Sequence, residues 1–488
     1  MASSALDDLS NLSLFLNAPL NLSFDKLPLP SLKDDHDVLV GINFTGICGS
    51  DVHYWRCGKI GHFQLREPMV LGHESVGTIL ATGSAVTSLR IGDRVALEPG
   101  HPCRRCADCR AGNYNLCDDM KFAATPPYHG TLTGVFSAPA DFCYRLPESV
   151  SLQEGALVEP LAVSVHAVRQ ADIKPGQSVA IFGAGPVGLL CAAIVKEAYG
   201  ASVTVCVDVR SARLDLARDI GATHVYLARD VSPQENAASI QQLVHLPRGV
   251  DVVIDASGAQ ASIQTGICLL RPGGCYVQLG MGQDDCTFPI MALCLKEVTA
   301  RGSFRYGPGD YDLAIQLIGS GKVPVKKLIS RIVPFDQAQE AFELAAKGDL
   351  IKILIAGPNE GDVANNFSTG RAKDTRESFT IAYPAVSFKA HPPGQPPIGA
   401  AGILHDACVR YQIEYVVRRQ VQPVSHASIK RASPGITQLR HSVVRPGTAD
   451  QACRMAEYGA MHRAHSDEPT PPCFCDGALL ALSFECPG

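Results

Sequence analysis

The chain has 488 residues, 46% of them hydrophobic and 19% charged, and carries a net charge of −5. That length suffices for two or three domains with a real core. The mild acidity gives no reason to expect nucleic acid or an anionic membrane as partner, and no apolar run reaches the roughly 18 residues of a membrane-spanning helix.

The first 30 residues read as a weakly structured lead-in. Met1 to Leu20 has no basic leader region, and Asp7 and Asp8 stand where a secretory signal would carry positive charge, so a cytoplasmic address is expected. Strand character starts at Val38-Leu39-Val40-Gly41-Ile42. In the next stretch, Gly46 to His53, glycines bracket Cys48, so the backbone can turn sharply and expose the thiol. A small buried cysteine beside a turn is the plainer reading.

Gly72-His73-Glu74 follows, with Gly77, Gly83 and Val86 behind it. An imidazole beside a carboxylate suits a borderline metal such as zinc; an ordinary surface turn has the same composition. Leu89 to Ala96 reads as a tight turn entering a strand. Short strands and glycine turns between 30 and 155 point to a mainly β domain.

Cys103, Cys106, Cys109 and Cys117 stand in the pattern Cys-x2-Cys-x2-Cys-x7-Cys. Four thiolates so close can surround one zinc ion tetrahedrally, and a set with no open position holds structure rather than performing chemistry. Arg104, Arg105 and Arg110 are expected to offset part of its negative charge. Glu159 lies in the apolar run Ala156 to Ala162 and needs a cation or donors if buried. Pro160 is expected to keep it out of the α region. It reads equally as a helix-start residue or as a carboxylate aimed at a metal or its water.

The pattern changes at Gly176. A buried strand, Ser178 to Phe182, runs into Gly183-Ala184-Gly185-Pro186-Val187-Gly188, and Leu189 to Tyr199 reads as a helix. A second strand, Ser202 to Val207, ends in Asp208, about 20 residues after Gly188. Glycines between a strand and a helix let a pyrophosphate approach the backbone, and Asp208 suits the adenosine ribose. The acid favours NAD over NADP, a preference softened by Arg210 and Arg213. Further βα units, Asp251 to Asp255 and Gly274 to Gly280, imply a parallel sheet. A helix from Tyr311 to Ser320, a strand from Leu328 to Val333, a helix from Phe335 to Lys347 and a strand from Ile351 to Ile355 are expected after it. Beyond Gly357-Pro358 no period persists, and the tail reads as largely disordered or poorly packed.

Together, Cys48, the Gly72 to Val86 signature, the four-cysteine lobe and the Gly183 to Gly188 fingerprint resemble the zinc-containing medium-chain alcohol dehydrogenases. The runs Gly46 to Trp55, Phe122 to Tyr128, Glu159-Pro160-Leu161 and Phe304-Arg305-Tyr306 are similar to the polyol branch: sorbitol, xylitol and L-arabinitol dehydrogenases. The second run, with the intact cysteine lobe, most resembles the fungal xylitol dehydrogenases. The resemblance covers about residues 20 to 357.

It implies an α/β fold: a GroES-like, mainly β catalytic domain (1–160, with a return at 301–357), an inserted Rossmann NAD-binding domain (161–300, a doubly wound parallel sheet) and an atypical tail (358–488). It implies Cys48, His73, Glu74 and Glu159 around a catalytic zinc, and Ser50 and His53 in a proton relay. Tyr54, Phe122, Thr125, Arg305 and Tyr306 take substrate positions. Gly183, Gly185, Pro186, Val187, Gly188, Asp208, Arg213, Leu279 and Phe304 take cofactor positions. The implied activity is NAD-linked oxidation of a polyol to a ketose, xylitol to D-xylulose first, with L-arabinitol or sorbitol as alternatives. A non-catalytic zinc- and NAD-binding protein is the alternative of another class. A homo-oligomer, favouring a tetramer, is implied as well.

Overall fold

From residue 10 on, the lead-in is folded, against expectation. In the computed structural model, which describes residues 10–360, Leu12–Ala18 and Asn21–Lys26 form an antiparallel hairpin. The pattern is a short two-residue alternation, with Leu12, Leu14 and Leu16 on one face. Leu14 and Leu16 are fully buried. The hairpin also pairs with Met69–Val70, and Leu71 N–H donates to the Leu14 carbonyl. It thereby fixes the segment that delivers Gly72 and His73. The expectation for the tail falls, from residue 361 on, outside the described residues.

The main β sheet has the strand order Cys143–Arg145, Arg94–Leu97, Glu74–Thr82, Asp37–Gly46, Lys352–Ala356, Ile329–Val333, with Val135–Pro139 also on Asp37–Gly46. Asp37–Gly46 is longer than Val38 to Ile42, because its whole length is buried between partners. Lys352–Ala356 runs antiparallel to it, with Leu354 opposite Gly46. The last described strand is therefore built into the same sheet as Asp37–Gly46.

Six parallel strands make the second sheet, in the order His224–Leu227, Val203–Asp208, Ser178–Phe182, Val250–Asp255, Leu270–Gln278, Thr299–Gly302. The order reverses at Ser178–Phe182, and the crevice at the carboxyl end of such a strand is where doubly wound sheets bind ligands. The helix that follows spans Pro186–Glu197 and not Leu189 to Tyr199. Proline pre-sets the φ of a first helical residue, so it opens the helix three residues early.

Glu159 stands inside the helix Val158–Gln170. The expected exclusion by Pro160 does not hold, because a proline in the first turn lacks only an N–H that the helix would leave unbonded. The later elements sit close to expectation: helix Asp310–Gly319, strand Ile329–Val333, and a 3₁₀ turn Phe335–Gln337 running into the helix Ala338–Lys347. One apolar core joins both sheets through the helices Val158–Gln170 and Pro186–Glu197.

Candidate metal, substrate and cofactor sites

Cys48 caps the helix Gly49–Cys57, and Asp51 completes the cap: its Oδ2 accepts the Cys48 N–H at 3.1 Å. Asp51 Oδ1 accepts the Gly72 N–H at 3.1 Å and lies 3.3 Å from His73 Nδ1. One buried carboxylate thus joins both expected metal residues. With Nδ1 engaged, the imidazole offers Nε2, the atom that Ser50 Oγ approaches at 3.4 Å. Burial alone would lower the His73 pKa; Asp51, and Cys48 after it, outweigh burial and hold it well above the ordinary value. The role of Asp51 was missed from sequence. Its spacing of three from Cys48 fits a capping box, but nothing local links it to His73.

Glu74 opens the strand Glu74–Thr82 fully buried, so it is no surface turn. Its Oε2 lies 2.5 Å from Lys352 Nζ, which also donates to the Ile47 carbonyl at 3.1 Å. Opposite it, a Cβ on Gly46 would stand 2.3 Å from that same oxygen, so only glycine leaves the carboxylate room. Lys352 thus engages Oε2 of this carboxylate, because a buried ammonium demands an anion. No three of Cys48, His73, Glu74 and Glu159 have donor atoms all within 4.8 Å of one another.

Glu159 is 5% exposed. Burial pushes its carboxyl up to about 8, opposed by His73 and reinforced by Glu74. The Tyr306 hydroxyl is also buried, near enough to the Glu159 carboxylate to lower its pKa, yet it makes no hydrogen bond of good geometry. Arg305 lies over the Phe122 ring at 4.0 Å and the Phe304 ring at 4.5 Å, and Phe122 packs 6.0 Å from the His73 ring. Tyr54 is buried and faces Thr125 and Arg305. All five expected substrate residues therefore meet in one wall beside His73 and Glu159. The wall fits a hydroxyl-rich ligand: an orphaned phenol, a guanidinium and a raised carboxyl converge there. Cys48, His73 Nε2 and Glu159 offer the donor set of zinc, a thiolate, an imidazole and a carboxylate. His53, one helical turn beyond Ser50, is exposed and makes no hydrogen bond to it.

At the second site, Gly183 has φ 92 and a Cβ on Gly188 would meet the Gly183 carbonyl at 1.8 Å. Gly185, by contrast, faces open space. Tight packing on two glycines and access at the third suit a pyrophosphate above the start of the helix at Pro186 and Val187. Asp208 Oδ2 accepts the Ala184 N–H at 2.7 Å and its Oδ1 accepts the Arg210 N–H at 2.9 Å. Arg213 stands 3.9 Å from Asp208 and donates to the Gly348 carbonyl. The guanidinium of Arg210 goes instead to Asp349 at 2.9 Å, which corrects the expectation that it tempers Asp208. Leu279 is half-buried on Asp255, and Phe304 is half-exposed.

The four cysteines form a cluster whose sulfur atoms all lie within 4.8 Å of one another. Backbone N–H groups of Arg105 and Cys106 donate to Cys103 Sγ at 3.4 and 3.3 Å, and that of Cys109 to Cys106 Sγ at 3.4 Å. The Arg105 and Cys106 amides lower the Cys103 thiol to about 7, while burial raises those of Cys109 and Cys117. Such donors favour thiolates, so the set fits zinc. Arg104 turns away from it to Asp141 at 2.8 Å, so it does not serve the expected neutralising role.

Residues 34–148 match the alcohol dehydrogenase GroES-like domain and residues 186–320 the zinc-binding dehydrogenase domain. The chain is 58% identical over 347 residues to "Probable D-xylulose reductase A" of Aspergillus clavatus, covering 71% of this chain and 97% of that protein. It is 56% identical to "D-xylulose reductase A" of Aspergillus oryzae, with the same coverage. L-idonate 5-dehydrogenase of Escherichia coli superposes with a TM-score of 0.65 at 31% identity, covering 71% of this chain and 98% of that one.

Proposed function

Since the chain belongs to the zinc-dependent medium-chain alcohol dehydrogenases, we propose that it oxidises a secondary hydroxyl of a polyol to a ketone with NAD as acceptor, xylitol to D-xylulose foremost. The reading is carried by the Tyr306 hydroxyl, buried and unpartnered beside Glu159, with Arg305 across the same pocket. Buried donors without partners are costly, and adjacent hydroxyls of a polyol satisfy them.

Zinc held by Cys48, His73 and Glu159 would supply a Lewis acid that makes the substrate hydroxyl easier to deprotonate. NAD held over Gly183 to Gly188 would accept the hydride. Asp51 fixes the His73 ring. Arg305, Tyr306, Tyr54 and Thr125 bind the hydroxyls flanking the reacting carbon. The proton leaves through Ser50, whose Oγ approaches His73 Nε2 at 3.4 Å. Glu74 serves through its pair with Lys352.

The names of the Aspergillus relatives support xylitol over L-arabinitol and sorbitol. Comparing kcat/KM for the three polyols with both nicotinamide cofactors tests the choice; absence of NAD-linked turnover on every five- and six-carbon polyol refutes the reading. Domain boundaries near 160, 300 and 357 follow from the same reading. A homo-oligomer, favouring a tetramer, is supported by the wholly exposed edge strand Thr299–Gly302 and the exposed Ile290, Met291 and Leu295 nearby; light scattering tests it. The proposed compartment is the cytoplasm, in keeping with cysteines that are all unpaired among the described residues.

A further inference from the structure

The strip Phe304-Arg305-Tyr306-Gly307 is anchored at both ends. Asn115 Nδ2 donates to the Phe304 carbonyl at 2.9 Å. At the other end the Gly307 N–H donates to Asp310 Oδ2 at 2.7 Å, and Asp310 also binds His166 and Arg169 of the helix that carries Glu159. Between the anchors Arg305 stands at φ 56. A non-glycine residue keeps such a backbone only where its surroundings impose it.

Asn115, itself buried, lies in the 3₁₀ turn Tyr114–Leu116, immediately before Cys117 of the four-cysteine set. Tyr114 in the same turn donates its hydroxyl to the buried Glu98 at 2.6 Å, tying the lobe to the main β domain. The carbonyl that precedes Arg305 is thus held by a lobe folded around the cysteines. We propose that Asn115 is a positioning residue for Arg305, so that the cysteine lobe takes part in recognising the substrate as well as stabilising the domain. This rests on the polyol reading of the Arg305 wall. Releasing the Phe304 carbonyl lets the left-handed backbone relax and draws the guanidinium off the Phe122 ring. Polyol binding weakens, while the far end of the NAD site, at Gly183 to Gly188 and Asp208, which Asn115 does not touch, is unaffected.

Asn115→Asp tests this, because it keeps the shape, leaves all four cysteines and replaces the amide donor with an acceptor. The expected result is a rise of about tenfold in KM for xylitol, the effect of one lost hydrogen bond, with the preference for NAD over NADP and zinc per chain unchanged. Hydrogen exchange of the 303–307 amides should quicken. Combining it with Arg305→Ala should add nothing to Arg305→Ala alone, as two changes acting through one group do. Asn115→Ser, a shorter donor, should fall between wild type and Asn115→Asp, and serves if the aspartate variant loses zinc. An unchanged xylitol KM with unchanged exchange overturns the proposal, as does multiplication of the two substitutions' effects. Failure of the polyol reading is visible separately, as a wild-type protein inactive on every polyol. The exchange measurement then still decides whether Asn115 holds the strip.

Discussion

Lys352 Nζ lies 2.5 Å from Glu74 Oε2, and both side chains are 2% exposed although 278 residues separate them in the chain. The pair joins the strand Lys352–Ala356 to the residue beside His73. It makes the closing strand a component of the site.

Removing one partner leaves a buried charge alone, which costs about 3–5 kcal/mol. Lys352→Met is expected to lose that much stability in urea unfolding, and Glu74→Gln combined with Lys352→Met should lose less than Lys352→Met alone. A loss of about 1 kcal/mol or less, as for an exposed pair, would contradict a structural role.

Asp51 touches Cys48, Gly72 and His73 at once. Asp51→Asn should weaken zinc binding at the Cys48–His73 site by about 10- to 100-fold, measured by competition with a chelator, while zinc in the cysteine lobe stays. Unchanged affinity would remove Asp51 from the site.

Asp208 holds two backbone N–H groups at the end of its strand, and its charge opposes a 2′-phosphate. Asp208→Ser should lower kcat/KM for NAD by about 10- to 100-fold, the worth of hydrogen bonds to a charged group, and shift the cofactor ratio toward NADP. An unaltered ratio would refute the assignment.

Glu98 is buried and accepts hydroxyls from Tyr114 at 2.6 Å and Tyr144 at 2.9 Å. Burial raises its carboxyl from 4.5 to about 7, although both tyrosines pull it down. The folded state therefore binds a proton that the unfolded chain releases. Its contribution to stability is full below the unfolded value and is lost as pH rises to about 7, a change of about 3 kcal/mol. Relative to wild type, Glu98→Gln should be more stable at pH 8 than at pH 5. Parallel pH profiles for the two proteins would contradict this.

Local chemistry made part of the molecule legible in advance. The Ser178–Phe182 strand, the Gly183 to Gly188 turn and Asp208 lie close together in the chain, and so do the four cysteines. Each needs only its neighbours to reveal its geometry. Lys352 beside Glu74, Asp51 beside His73 and Asn115 beside Phe304 are long-range pairings, for which no periodicity or spacing gives a sign. The hairpin at Leu12 was hidden differently, because its alternation is short and interrupted by Pro19. At Glu159 the preference of a pre-proline residue gave way to the favourable place of proline in a first helical turn.

Cys48, His73 and Glu159 are proposed to hold the zinc at which a polyol is oxidised. The direct measurement is NADH formation from xylitol by the purified full-length protein with zinc supplied, beside Cys48→Ser. Steady turnover by the wild type, nearly abolished in Cys48→Ser while the cysteine lobe keeps its zinc, is the predicted result. Undiminished turnover in Cys48→Ser, or none on any polyol in the wild type, would contradict the claim.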